Sequence, residues 1–317
     1  MYNPTTSQHR IQIKQWLLFG LFAAAICGYI VSSERGSTTV FEGMTFTAHA
    51  IIPSVFPVML IAELMTRSGV LDHISSFFYP LMNRAKLNPH LLAPVLVGYV
   101  CGFPAGAKSV RRSVENGLIS NEEANCLLAA SNCAGPAFVI SAVGSGMYSS
   151  AMKGFLLWFV CSTTCTLLSF VLIPRQHDPK KDIPKRMSNE RVGFSELFCE
   201  SVKSTSLSIL NLFCLITFFY SLSKSAVYAL EQAGINSVYC SIASGLLEIG
   251  SGCASAAFLP DPYSICITAF SVGFGGMCVF FQVKNEAHRG ARMTAYLTIK
   301  AVCGVISTLF ACFLLQS

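Results

Sequence analysis

Residues 98–108 read Gly-Tyr-Val-Cys-Gly-Phe-Pro-Ala-Gly-Ala-Lys, an apolar stretch with glycine at every fourth position and a proline near its centre. The stretch interrupts a longer apolar segment, 91–118, and leaves an arm of about eleven residues on each side. At 1.5 Å per residue such an arm reaches about 16 Å, half of a hydrocarbon layer roughly 30 Å thick. The spacing therefore predicts a re-entrant helical hairpin whose glycine tip lies near the bilayer middle. One kinked helix is the competing reading, because proline and paired glycines also bend helices. A second segment, 237–260, is interrupted in the same way by Gly250-Ser251-Gly252.

Composition sets the surroundings of these two segments. Of 317 residues, 53% are apolar and only 12% charged, about half the charged share of a soluble domain. An ordinary cytosolic globule and a disordered chain are both excluded. Apolar runs near 16–31, 46–66, 122–148, 150–173, 205–230, 263–283 and 294–315 are long enough to cross a bilayer as helices. A transmembrane barrel would alternate polar and apolar residues instead. The N-terminal run resembles a signal peptide, with Arg10 and Lys14 ahead of it, but continues into Ser32-Ser33-Glu34-Arg35 without a small-x-small cleavage site; it reads as an uncleaved first helix. The fourteen cysteines are scattered singly through apolar runs and read as small packing residues. The net charge of +6 forms no basic face with interleaved aromatics, so nucleic acid is not an expected partner.

With the N-terminus inside and two re-entrant hairpins, nineteen of the 22 Lys and Arg fall on the inner side, leaving Arg35, Lys153 and Lys224 outside. The Pro- and charge-rich stretch 174–193 divides the chain into halves of like order: helix, hairpin, broken helix, helix. The breaks are Asn132-Cys133-Ala134-Gly135-Pro136 and Gly273-Phe274-Gly275-Gly276. Gly98–Lys108 precedes Gly245-Leu-Leu-Glu-Ile-Gly-Ser-Gly-Cys-Ala-Ser255 by 147 residues, and Leu127–Pro136 precedes Ile267–Gly276 by 140. The expected fold is an all-α membrane protein of two inverted repeats, each with a re-entrant hairpin and a broken transmembrane helix, plus an N-terminal transmembrane helix. Its parts are an inner tail, helix and outer loop over 1–43, a first repeat over 44–173, a basic cytoplasmic linker over 174–193 and an inverted repeat over 194–317. Inverted repeats with interrupted helices point to a secondary transporter with a midplane site.

Half-helix N-termini after Gly106, Pro136, Gly252 and Gly276 would aim partial positive charge at the centre, and freed carbonyls would suit a cation. Lys108, just beyond the first tip, reads as an anion ligand, or as a lysine snorkelling inward with Arg111 and Arg112. Glu248 reads as a sodium or proton ligand, a partner of Lys108, or half of a structural ion pair. Glu63 and Arg67 have the spacing of an ordinary helical i,i+4 pair. Asn132 leads the candidates for hydrogen bonding a solute, with Ser131, Ser271 and Gln282 behind it. Phe103, Phe138 and Phe274 flank the breaks, as stacking or packing rings. The substrate-binding set is Gly102, Phe103, Gly106, Lys108, Asn132, Glu248, Gly250, Ser251 and Gly275. Six isolated histidines, dispersed carboxylates and the absence of HExxH, GxSxG and GxxxxGK[ST] argue against an enzyme, a metal site or a cofactor. Ser120-Asn-Glu-Glu123 is a capping box that opens the first broken helix.

Gly98–Lys108, Ser131-Asn-Cys-Ala-Gly-Pro-Ala-Phe138, Gly245-Leu-Leu-Glu248 and Phe274-Gly-Gly276 together resemble the Gate-domain, or nucleoside-recognition, membrane proteins, over about 53–283. Among these, the sporulation-stage importers of dipicolinic acid look most similar. The resemblance implies a multi-pass protein of the cytoplasmic membrane that moves an anionic aromatic solute. More distantly the chain resembles concentrative nucleoside transporters, which imply a homo-oligomer, a trimer by analogy. It lacks their Gly-Gln-Thr-Glu-Ala-Pro tip and carries Gly102–Lys108 there, which suits an anion better than an uncharged ribose. A nucleoside transporter and a non-transporting membrane scaffold are the alternatives, and the coupling ion, sodium or proton, is open.

Overall fold

The computed structural model describes residues 33–175 and 193–314. The expected first helix, 16–31, the inner N-terminus and nearly all of the 174–193 linker lie outside the described residues. Among the described residues all regular structure is helical. In chain order these are α1 (Ser33–Phe46), a π-turn (Thr47–Ile51), α2 (Ile52–Arg67), α3 (Val70–Ser76), α4 (Tyr79–Arg84), α5 (Leu92–Cys101), α6 (Ala105–Glu115) and α7 (Asn121–Ala130). There follow a wide-wound π-helix (Ala137–Met147), α8 (Ala151–Leu172), α9 (Phe194–Gln232), α10 (Ser237–Leu247), α11 (Ile249–Ala256), α12 (Tyr263–Phe274), α13 (Gly276–Glu286) and α14 (Met293–Leu314).

Among the described residues, five helical stretches are long and apolar enough to cross a membrane: Gly36–Arg67, Ala151–Leu172, Phe194–Gln232, Tyr263–Glu286 and Met293–Phe313. The protein is an integral membrane protein. Within the segment 1–43, expected to end in an outer loop, the described residues from Ser33 are helical: α1 runs through the π-turn into α2 and packs along α9. Helix α9 has 39 residues, about 58 Å, and must extend well beyond the hydrocarbon. The expected crossing at 122–148 is interrupted at the expected break, Asn132–Pro136: α7 ends at Ala130 and winding resumes at Ala137. Its start does follow the capping box. The Ser120 hydroxyl accepts from Glu123 N at 3.2 Å and the Glu123 carboxylate accepts from Ser120 N at 2.8 Å.

Phe155, Phe159, Leu167 and Val171 on α8, and Leu207, Leu210 and Phe218 on α9, lie exposed on the outside, as lipid-facing side chains do. The most enclosed long stretch is Tyr263–Glu286: 67% of its apolar window is buried, against 22% for Gly36–Arg67, so α12 and α13 are central. Cys266 and Cys312 form a disulfide between α12 and α14, a pairing that single-residue spacing could not reveal. Among the described residues, eight other cysteines, Cys133, Cys161, Cys165 and Cys303 among them, are buried outside any disulfide.

Four of the helices too short to cross pack in two pairs. Helices α5 and α6 pack on each other around Gly102-Phe103-Pro104, as do α10 and α11 around Glu248. The second junction differs from expectation. Gly250, Ser251 and Gly252 are not at the turn but inside α11, and the chain reverses at Glu248, whose φ of −143° and ψ of 126° are extended. The glycines serve approach instead: a Cβ on Gly252 would come within 2.2 Å of Gly245 Cα. Gly106 likewise lies inside α6, and a Cβ there would meet the Ser131 carbonyl.

Gly106→Ala and Gly252→Ala should each lose about 2 kcal/mol or more, since neither obstacle is a movable side-chain end. Gly193→Ala, with nothing near its Cβ position, serves as the neutral control in detergent thermal unfolding. A second prediction concerns His288, which lies between α13 and α14, is buried and has no partner on either ring nitrogen among the described residues. Burial lowers its pKa from the ordinary histidine value. Above that value both states are neutral; below it the unfolded chain gains a proton the folded chain resists, so stability falls with pH. His288→Phe should flatten the decline in unfolding midpoint between about pH 7 and pH 5.

Candidate functional site

The two helix-pair junctions and the first break line one cleft. Phe103 comes from the α5–α6 junction, Glu248 and Ile249 from the α10–α11 junction, Gly135 and Phe138 from the first break, and Gln282 from α13. Ile51 at the π-turn and Leu212 and Ile216 on α9 close its sides. The empty space between these side chains is about 590 Å³ with its open mouth to the outside included.

Each junction is held by its neighbours' polar atoms. Phe103 N donates to Cys133 O at 3.1 Å. Gly102 adopts φ 73°, and a Cβ there would meet Gly135 N at 2.5 Å. The Asn132 side chain accepts from Ala107 N at 3.0 Å and donates to Leu128 O at 2.7 Å. Asn132 therefore caps the first turn of α6 from the adjoining break. At the other junction Glu248 caps its own helix: Oε1 accepts from Gly250 N at 2.9 Å and Oε2 from Ser251 N at 2.6 Å. Ser251 joins Ser223 and Ser244 in a buried hydroxyl chain. Gly276, φ 76°, lies against the carbonyls of Gly245 and Leu247, so the second break nests on the second pair as the first nests on the first.

Lys108 is elsewhere. Its Nζ lies 3.5 Å from Glu63 Oε2 and donates to Ser204 Oγ at 2.5 Å and Ser208 Oγ at 3.4 Å. Glu63 Oε1 also accepts from Arg67 Nε at 2.7 Å and Arg112 Nη2 at 2.8 Å. The cluster continues through Ser208 to Glu286, which pairs with Arg111 at 3.4 Å. The expected i,i+4 pair Glu63–Arg67 is thus the corner of a network joining α2, α6, α9 and α13. Lys108 faces Glu63 and not Glu248, with its charge spent on side chains of the protein.

Of the expected set, Phe103 and Glu248 line the cleft. Gly102, Gly106, Gly250 and Ser251 shape its backbone, Asn132 braces it, Lys108 stands in the ion cluster, and Gly275 lies behind the cleft beside α14. Gln282 is the polar group that ranking by position undervalued: its Nε2 touches Cys278 Sγ at 3.1 Å and its buried Oε1 has no partner among the described residues. Among the described residues, no group of His, Cys, Asp and Glu is placed to hold a metal. The cleft offers a carboxylate, one free amide oxygen and aromatic walls.

These features define an all-helical integral membrane protein with a largely apolar cleft that carries a few polar side chains. The chain is similar to "Sporulation integral membrane protein YlbJ" of Bacillus subtilis (strain 168), at 28% identity over 143 residues, which are 44% of this chain and 35% of that protein. The match spans about a third of the relative's length. No protein-family model matches the chain, and no solved structure matches it.

Glu63→Gln should cost about 3 kcal/mol by leaving Arg67, Arg112 and Lys108 without their shared countercharge. Glu200→Gln, at the exposed rim of the same network, should cost under about 0.5 kcal/mol. Equal losses in thermal unfolding would contradict this reading of the cluster.

Proposed function

We propose that the chain is a secondary transporter of the cytoplasmic membrane that passes a small solute through the cleft between two re-entrant hairpins. The carrying observation is the convergence of both helix-pair junctions and an interrupted helix on one space. Irregular backbone persists at membrane depth only where protein or a wet cavity surrounds it. Helices of ten, eleven, eleven and eight residues reach at most about 16 Å, which supports arms entering and leaving by the same face. The like order of pair and break on either side of 174–193 supports inverted repeats. An inner N-terminus, favoured by the count of Lys and Arg, and a trimeric assembly belong to the same proposal.

The similarity to a protein named for sporulation supports a role in spore formation, and within it dipicolinate, planar and dicarboxylic, is the substrate put forward. A specific observation favours a second reading. The cleft is lined by Glu248 and Gln282 and by no Lys or Arg, so a neutral solute with hydrogen-bond donors, such as a nucleoside, meets no like charge there.

Uptake by reconstituted vesicles decides between them. For the first reading, labelled dipicolinate accumulates above empty vesicles; for the second, Gln282→Ala lowers uridine uptake about tenfold through loss of the one buried hydrogen bond that its Oε1 would accept. Uridine uptake that dipicolinate does not inhibit would establish the second reading. Uptake of neither, together with a cleft closed to thiol reagents at Phe103→Cys, would overturn transport itself.

A further inference from the structure

Lys300 lies in the middle of α14 and is only 1% exposed, making it one of the largest fully buried side chains of the protein. Among the described residues no carboxylate lies within ion-pair distance of it. A buried ammonium without a countercharge is strongly unfavourable unless fixed dipoles replace the lost water. Its surroundings supply them. Nζ donates to the backbone carbonyl of Asn132 at 3.5 Å, just past the C-terminal end of α7, where that helix's carbonyls have lost their continuation. Its Cε lies 3.7 Å from the Cβ position of Gly275, the residue that ends α12. The break after α7 thus presents a carbonyl, at a helix end with partial negative charge, to the amine itself, while the end of α12 packs against the stem that carries it. Tyr296, one turn earlier on α14, adds a buried hydroxyl without a partner among the described residues.

Freed carbonyls and half-helix C-terminal ends are where transporters built from broken helices hold a mobile coupling cation. The geometry points to Lys300 as a tethered cation that fills a monovalent-cation site at the meeting of the two breaks, so that no sodium ion is bound there. This inference deepens the transporter reading and rests on it only for its consequence in transport. The site itself is read by stability. Lys300→Ala removes the amine and leaves room for a small cation; Lys300→Met removes the charge but keeps a long side chain in the space.

The full-length protein is unfolded thermally in detergent at equal ionic strength in sodium, methylammonium or choline chloride. Wild type should have the same midpoint in all three salts. Lys300→Ala should be less stable in choline and recover by about 3 °C, saturably, in sodium or methylammonium, because a cation that binds only the folded state stabilises it by mass action. Lys300→Met should be less stable than wild type and indifferent to the salt. A sodium-dependent rise in wild type, a Lys300→Met as stable as wild type, or a Lys300→Ala blind to the cation would each overturn the assignment. Should Lys300→Ala fail to fold, the comparison of wild type with Lys300→Met still decides it. In vesicles, wild-type uptake should be unchanged when the sodium gradient is abolished. Vesicles that take up no solute would sink the transporter reading while leaving the stability results to stand on their own.

Discussion

A helix interrupted inside lipid exposes backbone N–H and C=O groups that the solvent cannot satisfy, and the arrangement here follows from how they are answered. At the first break the answer comes from a side chain: Asn132 spans from Leu128 O to Ala107 N and so ties α7 to α6. Phe103 N, at the adjoining junction, takes Cys133 O. At the second junction a carboxylate closes on the two amides that begin α11. An unpaired buried polar group costs about 1–3 kcal/mol, so each of these contacts fixes the register of two helices as well as one hydrogen bond.

Such contacts require backbones to come closer than side chains normally permit. Gly245 faces Gly252, and Gly106 faces the Ser131 carbonyl. Without a Cβ on either partner, the short helices lie on one another and on the breaks with little wasted space. The cleft is what is left where the apolar walls of α9 and the π-turn stand away from these junctions. Its polar side chains are Ser54, Glu248 and Gln282; Ser54 and both Glu248 oxygens are engaged by nearby backbone, and Gln282 Oε1 has no partner among the described residues.

The charges are segregated from it. Glu63 gathers three cations at one end of α6, and Glu286 gathers Arg111 through the same network. An ion cluster of this kind is costly to assemble and costly to break, so it orients α2, α6, α9 and α13 more than it adds net stability. One consequence reaches the cleft: a basic residue that a linear reading places there is committed to the framework, leaving Ser54, Glu248 and Gln282 as the polar side chains of the lining.

The membrane class, the two interrupted segments, the capping box at Ser120 and the Glu63–Arg67 pair were legible in the sequence, because each depends on residues within a turn or on the apolar length of a run. Glycine marked the places of close approach but not their use: Gly250 and Gly252 pack within α11 while Glu248, an ordinary residue in an extended conformation, makes the turn. The same limit hid the partners of Lys108, which come from helices 45 or more residues away, and the Cys266–Cys312 bridge. It also hid the position of Lys300, whose charge lies inside an apolar run and is tolerated only because two distant helix ends meet around it. Local spacing determines which segments are helical and which are broken; side-chain partnership across the fold is a matter of distances that only packing creates.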